Sequence, residues 1–103
     1  MTLFHITAGH KVNRILDEGI LPKCPGGISQ NREHTQWVWL TDNPKYILQT
    51  QAGQAWARQN KPVILTVDVS DLIIEKHVTE QGEIVPHEFK YNSTIEPGRI
   101  KLG

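Results

Sequence analysis

Three residues of this chain could take part in chemistry: His5 in an apolar segment, Trp39 close to a second tryptophan, and Glu88, a lone acid in a stretch of aromatic residues. A histidine just before a helix can hydrogen-bond a ligand hydroxyl near free backbone N–H groups. A large flat ring can stack on a planar heterocycle, and a fixed carboxylate can stabilise developing positive charge. Each residue also has a structural interpretation: a core histidine bonded to a carbonyl, a core tryptophan, and a solvated carboxylate at a sheet edge.

Other chemistry has weaker support in the sequence. The five histidines show neither H-x-x-x-H nor H-E-x-x-H spacing, so a catalytic metal is not expected; they are His5, His10, His34, His77 and His87. Cys24, the single cysteine, has no evident activating base, and the serines lack a nucleophile-elbow context. Covalent hydrolase chemistry is therefore not expected either.

The elements that must position these residues begin with a short strand and a helix. Residues 2–7 predict a buried strand, and Val12, Ile15 and Leu16 have the i, i+3, i+4 spacing of a helix. Thr7 is expected to cap this helix and Gly19 to end it. Residues 22–36 are rich in proline, glycine and polar side chains, and they predict a loop long enough to act as a lid.

The remainder of the chain predicts one more helix and several strands. Residues 37–41 have strand composition, with Trp37 and Trp39 on one face. Asn43 is expected to cap a helix that ends at Asn60, with an apolar stripe of Leu48, Ala52, Ala55 and Trp56. Further strands are expected at residues 63–69, 73–78, 84–91 and 95–102. Two helices with five or six strands indicate an α+β domain.

Composition limits the classes of protein that this chain can be. Its 103 residues form a single domain, residues 1–103, and its 11 basic and 11 acidic side chains exclude the strong positive charge of a nonspecific nucleic-acid binder. A lone cysteine indicates a reducing compartment, and the apolar runs are too short to span a membrane. We expect a cytoplasmic protein with no membrane association.

The order of five motifs resembles the ADP-ribosyltransferase superfamily over nearly the whole chain. These motifs are His5-Ile6-Thr7, Leu16-Asp17-Glu18-Gly19-Ile20-Leu21-Pro22, Val38-Trp39-Leu40-Thr41-Asp42, Pro62-Val63-Ile64-Leu65-Thr66-Val67-Asp68-Val69, and Glu88-Phe89 followed by Ile95-Glu96-Pro97-Gly98-Arg99-Ile100. Three branches are similar: poly-ADP-ribose polymerase-type domains, DarT-like transferases that modify DNA, and tRNA 2′-phosphotransferases. The resemblance implies a split β-sheet with a cleft between two small sheets, and NAD⁺ bound there as substrate.

The resemblance also implies roles for individual residues. His5 would bond the adenosine ribose, Trp39 would pack on nicotinamide, and Glu88 would bond the nicotinamide ribose, so His5 and Glu88 are the expected catalytic residues. The glycines after Cys24 would form a flap over NAD⁺. The expected NAD⁺-binding residues are His5, Ile6, Thr7, Trp39, Tyr46, Arg32 and Arg58, the two arginines for their fit to phosphate.

Several functions remain open at this point. The acceptor of ADP-ribose is a macromolecule, either DNA, RNA or protein, and an inhibitory partner protein is compatible with the sequence. The alternatives are a noncatalytic nucleotide- or protein-binding module on the same fold, and an NAD-dependent RNA 2′-phosphotransferase.

Overall fold

A computed structural model describes residues 1–22 and 37–103 of the chain. In these ranges it contains six strands and three α-helices. In chain order they are β1 (Thr2–Ala8), α1 (Val12–Glu18), β2 (Val38–Thr41), α2 (Pro44–Gln49), α3 (Gln51–Gln59), β3 (Pro62–Asp68), β4 (Glu75–Val78), β5 (Ile84–Tyr91) and β6 (Ile100–Leu102). The predicted α+β class is confirmed. No helix in the described ranges is long and apolar enough to cross a membrane.

The strands form one antiparallel sheet in the order β4-β5-β2-β1-β3-β6. The central strand β1 pairs with β3 along its whole length, from Thr2 opposite Asp68 to Ala8 opposite Pro62. On its other side, β1 pairs with β2 only where Phe4 lies opposite Thr41. The sheet is therefore continuous, in contrast to the predicted two small sheets, but its two three-stranded halves separate beyond this one position.

The core lies against one face of the sheet. Strand residues alternate between faces, so Leu3 shares a face with its partner Val67, and Leu65 lies two residues from Val67 on that face. The predicted burial of alternate residues is confirmed at Leu65 and Val67 in β3 and at Val69 just after it, whereas Val63 is half-buried. The buried core cluster consists of Leu3, Ile20, Val38, Leu40, Leu65, Val67, Val69, Ile95 and Ile100.

Helix α1 differs from expectation at its start and agrees at its end. The predicted cap by Thr7 is wrong, because β1 continues through Ala8 and a 3-10 turn, Gly9–Lys11, precedes the helix. Thr7 is buried within β1. The predicted end at Gly19 is confirmed: its φ is 89°, and its N–H donates to the Ile15 carbonyl at 2.8 Å. Glycine adopts this conformation without a Cβ clash.

The predicted second helix is interrupted. It begins as expected, with the Asn43 side chain accepting the Tyr46 N–H, but Thr50 has a ψ of 157° and separates α2 from α3. The Thr50 hydroxyl accepts the Gly53 N–H at 3.0 Å and donates to the Ile47 carbonyl at 2.7 Å. One side chain thus satisfies backbone groups of both helices and stabilises the break.

This break changes which residues face inward. Because α3 starts afresh at residue 51, the i, i+4 stripe predicted across the two helices is wrong, and Ala52 and Ala55 are exposed. Gly53 permits the close turn, since a Cβ there would lie 2.0 Å from the Ile47 carbonyl oxygen.

The C-terminal strands are shorter than predicted, except β5, whose bounds agree. β4 begins at Glu75, two residues later than expected. The predicted strand over residues 95–102 is wrong in its first half: Ile95 forms an isolated bridge with Ile20, and a 3-10 turn at Pro97–Arg99 precedes β6. Proline lacks the N–H that a continuous strand would need here.

Candidate functional site

A cavity of about 300 Å³ lies where β1 and β2 separate. It is bounded by β1, β2, β5, one residue each of β4 and α2, and the segment after α1. Its lining residues are Phe4, His5, Ile6, Ile20, Leu21, Trp37, Val38, Trp39, Leu40, Thr41, Ile47, His77 and Glu88. Most of the lining is apolar, with a few polar side chains, which is the usual character of a small-molecule site.

His5, Trp39 and Glu88 all line this cavity. Phe4, Thr41 and Glu88 lie opposite one another across three adjacent strands and therefore share a face. Trp39 is two residues from Thr41 and lies on that same face. His5 belongs to the opposite face by alternation, and it reaches the cavity because the two strands have separated there.

The His5 ring is oriented by a hydrogen bond across the gap. Its Nδ1 lies 2.9 Å from the carbonyl oxygen of Trp39. A carbonyl only accepts, so Nδ1 carries the proton. Burial lowers the pKa of His5 below its ordinary value, helped by the charge of Lys11 and opposed by the bond to Trp39. The ring is therefore neutral, and Nε2 is left as an acceptor for a ligand hydroxyl.

The lowered pKa of His5 predicts a pH-dependent stability. The unfolded chain takes up a proton at His5 near pH 6.5, whereas the folded chain does so only at lower pH. The contribution of His5 to the free energy of unfolding is fully present above about pH 6.5. Below this pH it falls by up to about 1.4 kcal/mol per pH unit. His5→Asn keeps a donor to the Trp39 carbonyl but cannot titrate, so we expect a flatter profile in urea unfolding.

The His5→Asn comparison isolates one histidine, because the two proteins differ at no other residue. We expect the difference in unfolding free energy between wild type and His5→Asn to change between about pH 7.5 and about pH 5. A difference that stays constant over this range would mean that the folded state binds a proton at His5 as readily as the unfolded chain does.

Aromatic rings form one wall of the cavity. The rings of Trp39 and His77 meet edge to face, with centroids 4.8 Å apart. Trp37 also lines the cavity, and the Lys90 ammonium lies 4.2 Å from the centre of its ring. Nδ1 of His77 is buried and has no hydrogen-bond partner in the described part of the chain. This wall offers flat apolar surface with one unsatisfied polar atom.

Glu88 supplies the carboxylate of the cavity. It lies opposite Thr41 in the pairing of β2 with β5 and is half-buried. Within residues 1–22 and 37–103, no group donates a hydrogen bond to its carboxylate. The negative charge is therefore available to a positively polarised atom of a ligand.

The remaining predicted site residues divide into three groups. Ile6 lines the cavity, whereas Thr7 is buried in β1 and does not. The ring of Tyr46 packs against the ring of His87, with centroids 4.6 Å apart, and Tyr46 does not line the cavity. Arg58 is exposed in the last turn of α3, away from the lining. Arg32, Cys24 and the predicted flap lie outside the described residues.

Sequence reasoning missed several lining residues. Phe4, Leu21 and Ile47 are apolar residues that periodicity assigns to packing alone, and His77 lies in a segment with no recognised motif. A cavity wall has the same apolar composition as a core, so the sequence contained no signal that separates the two. The described residues contain no cluster of three or more metal-ligating side chains.

Comparisons of this chain with protein-family models, with curated proteins and with solved structures found no match. The motifs of the sequence and the geometry of the cavity therefore provide the basis for a functional proposal.

Proposed function

We propose that this chain is an NAD-dependent ADP-ribosyltransferase that transfers ADP-ribose from NAD⁺ to a macromolecular acceptor. The observation that carries the proposal is the convergence of His5, Trp39 and Glu88, from three different strands, on one cavity. These are the three positions that the resemblance to the superfamily singles out, and they are far apart along the chain.

The chemistry of these three groups fits cleavage of the bond between ribose and nicotinamide. This cleavage builds positive charge on the ribose ring, and the Glu88 carboxylate stabilises that charge more in the transition state than in the ground state. Trp39 packs on the planar nicotinamide ring. It has no hydroxyl, so stacking is the only role that it takes over from the aromatic residue of the superfamily. Nε2 of neutral His5 accepts a hydrogen bond from a ribose hydroxyl.

The size of the cavity supports a binding mode in which only one end of NAD⁺ lies inside it. At about 300 Å³ it lies at the lower limit of small-molecule sites, which range from roughly 300 to 1,000 Å³. It accommodates the nicotinamide ribose end of NAD⁺, where the reacting bond lies. The adenosine end extends along the open separation of β1 and β2, on the side where His5 lies.

The noncatalytic alternative and the proposed transferase predict different results with wild-type protein. We expect NAD⁺ to raise the melting temperature, because a ligand that binds only the folded state stabilises it by mass action. We also expect free nicotinamide to accumulate over time, measured by chromatography. Stabilisation without nicotinamide release would support a binding module. If NAD⁺ causes neither stabilisation nor nicotinamide release, NAD⁺ is not the ligand.

A further inference from the structure

Three side chains outside the cavity wall form a compact cluster. Nδ1 of His87 lies 2.7 Å from a carboxylate oxygen of Asp42. The ring of Tyr46 packs against the imidazole of His87, with centroids 4.6 Å apart and planes tilted by 52°. A carboxylate that accepts from Nδ1 leaves Nε2 as the atom that can take up a proton, and the tyrosine ring restricts the orientation of the imidazole.

The cluster adjoins the cavity lining along the chain. Asp42, Tyr46 and His87 are each the immediate chain neighbour of a lining residue, namely Thr41, Ile47 and Glu88 respectively. The side chains of His87 and Asp42 remain 36% and 47% exposed. A macromolecular acceptor is too large to enter a cavity of about 300 Å³ and must approach from the rim.

The backbone at His87 is held in an uncommon conformation. His87 has a φ of 64°, and no other non-glycine residue in residues 1–22 and 37–103 has a positive φ. A positive φ inside a strand interrupts the alternation of side chains and re-aims the residue. Such conformations are concentrated at functional sites, where the surrounding structure maintains them.

We propose that His87, held by Asp42, is the base that takes the proton from the acceptor during transfer. This inference rests on the proposed function. The acceptor atom is a hydroxyl oxygen or another protonated nucleophile. Its lone pair forms the new bond to the ribose carbon, the bond from that carbon to the nicotinamide nitrogen breaks, and nicotinamide leaves with the electron pair. The proton of the acceptor passes to Nε2 of His87. Asp42 is a positioning residue, because it acts only through the imidazole.

The test uses water and azide as small acceptors, with NAD⁺ as the donor. Water must lose a proton when it attacks, whereas the azide anion carries none and needs no base. In His87→Asn the amide keeps a donor to Asp42 and tolerates the positive φ, but cannot act as a base. We expect ADP-ribose formation from water to fall at least about 100-fold. We expect azide to restore nicotinamide release, with glycosyl azide as the product.

Two further variants make the result decisive. Asp42→Asn should lower the rate of the reaction with water and leave the rate of the reaction with azide unchanged. The substitution disturbs only the orientation and the proton position of His87. His10→Asn, at an exposed histidine in the turn before α1, should change neither. If His87→Asn retains the rate of wild type with water, or if azide fails to restore cleavage in a folded His87→Asn protein, the inference is wrong. If wild type releases no nicotinamide with either acceptor, it is the proposed transferase function that fails.

Discussion

We expect Glu88→Gln to lower the rate of nicotinamide release from NAD⁺ by about 10²- to 10³-fold or more. The substitution removes the negative charge that stabilises the ribose cation and keeps the size of the side chain. The lost stabilisation belongs to the transition state, so NAD⁺ should still bind and raise the melting temperature. The measurement is nicotinamide release at saturating NAD⁺, together with thermal unfolding with and without NAD⁺.

The fold should tolerate Glu88→Gln. Glu88 is half-buried, and no donor among the described residues holds its carboxylate, so neutralising it breaks no internal hydrogen bond there. Glu80→Gln, the same substitution at an exposed position, is the matched control and should leave cleavage unchanged. If Glu88→Gln cleaves NAD⁺ like wild type, the Glu88 carboxylate does not stabilise the transition state. If it unfolds the domain, the role of Glu88 is structural.

Of the substitutions proposed for this protein, Gly19→Ala should lower the free energy of unfolding the most. Gly19 has φ 89° and ψ −177°, a region that is open essentially only to glycine, and another residue there costs about 1–3 kcal/mol. An added Cβ would also lie 2.2 Å from the carbonyl oxygen of Ile95. Moving packed backbone out of the way adds about 1–3 kcal/mol. We therefore expect a destabilisation of about 2–6 kcal/mol.

The effect of Gly19→Ala should extend to the cavity. Gly19 leads directly to Ile20, which pairs with Ile95 and lines the cavity. The melting temperature should fall by at least about 8 °C, because 1 kcal/mol corresponds to about 4–8 °C in a domain of this size. Gly98→Ala is the control, since nothing lies within 4 Å of its added Cβ and its φ is not positive. Equal melting temperatures for the two variants would show that residues 19 and 95 are not in close contact.

Local signals in the sequence identified most elements correctly. Asn43 before Pro44 predicted the start of α2, Gly19 predicted the end of α1, and alternation predicted β3. The failures arose where a residue had more than one local use. Thr7 resembles a helix cap but is buried in β1, and Thr50 resembles a helical residue but caps α3. Pairing with the distant strand β3 decided the conformation at Thr7, whereas local hydrogen bonds to the Ile47 carbonyl and from the Gly53 N–H decided it at Thr50.

By itself, the sequence determined that the chain folds as a small α+β domain, and it singled out His5, Trp39 and Glu88 as unusual polar or aromatic side chains among apolar neighbours. Hydrophobic periodicity is a local property and can be read from a few consecutive residues. Only the tertiary structure decided that β1 pairs with β2 at a single position and that the strands then separate around a cavity. It also brought His87 to Asp42, 45 residues away. Strand order and register depend on long-range pairing, whose free energy comes from side chains that are distant along the chain.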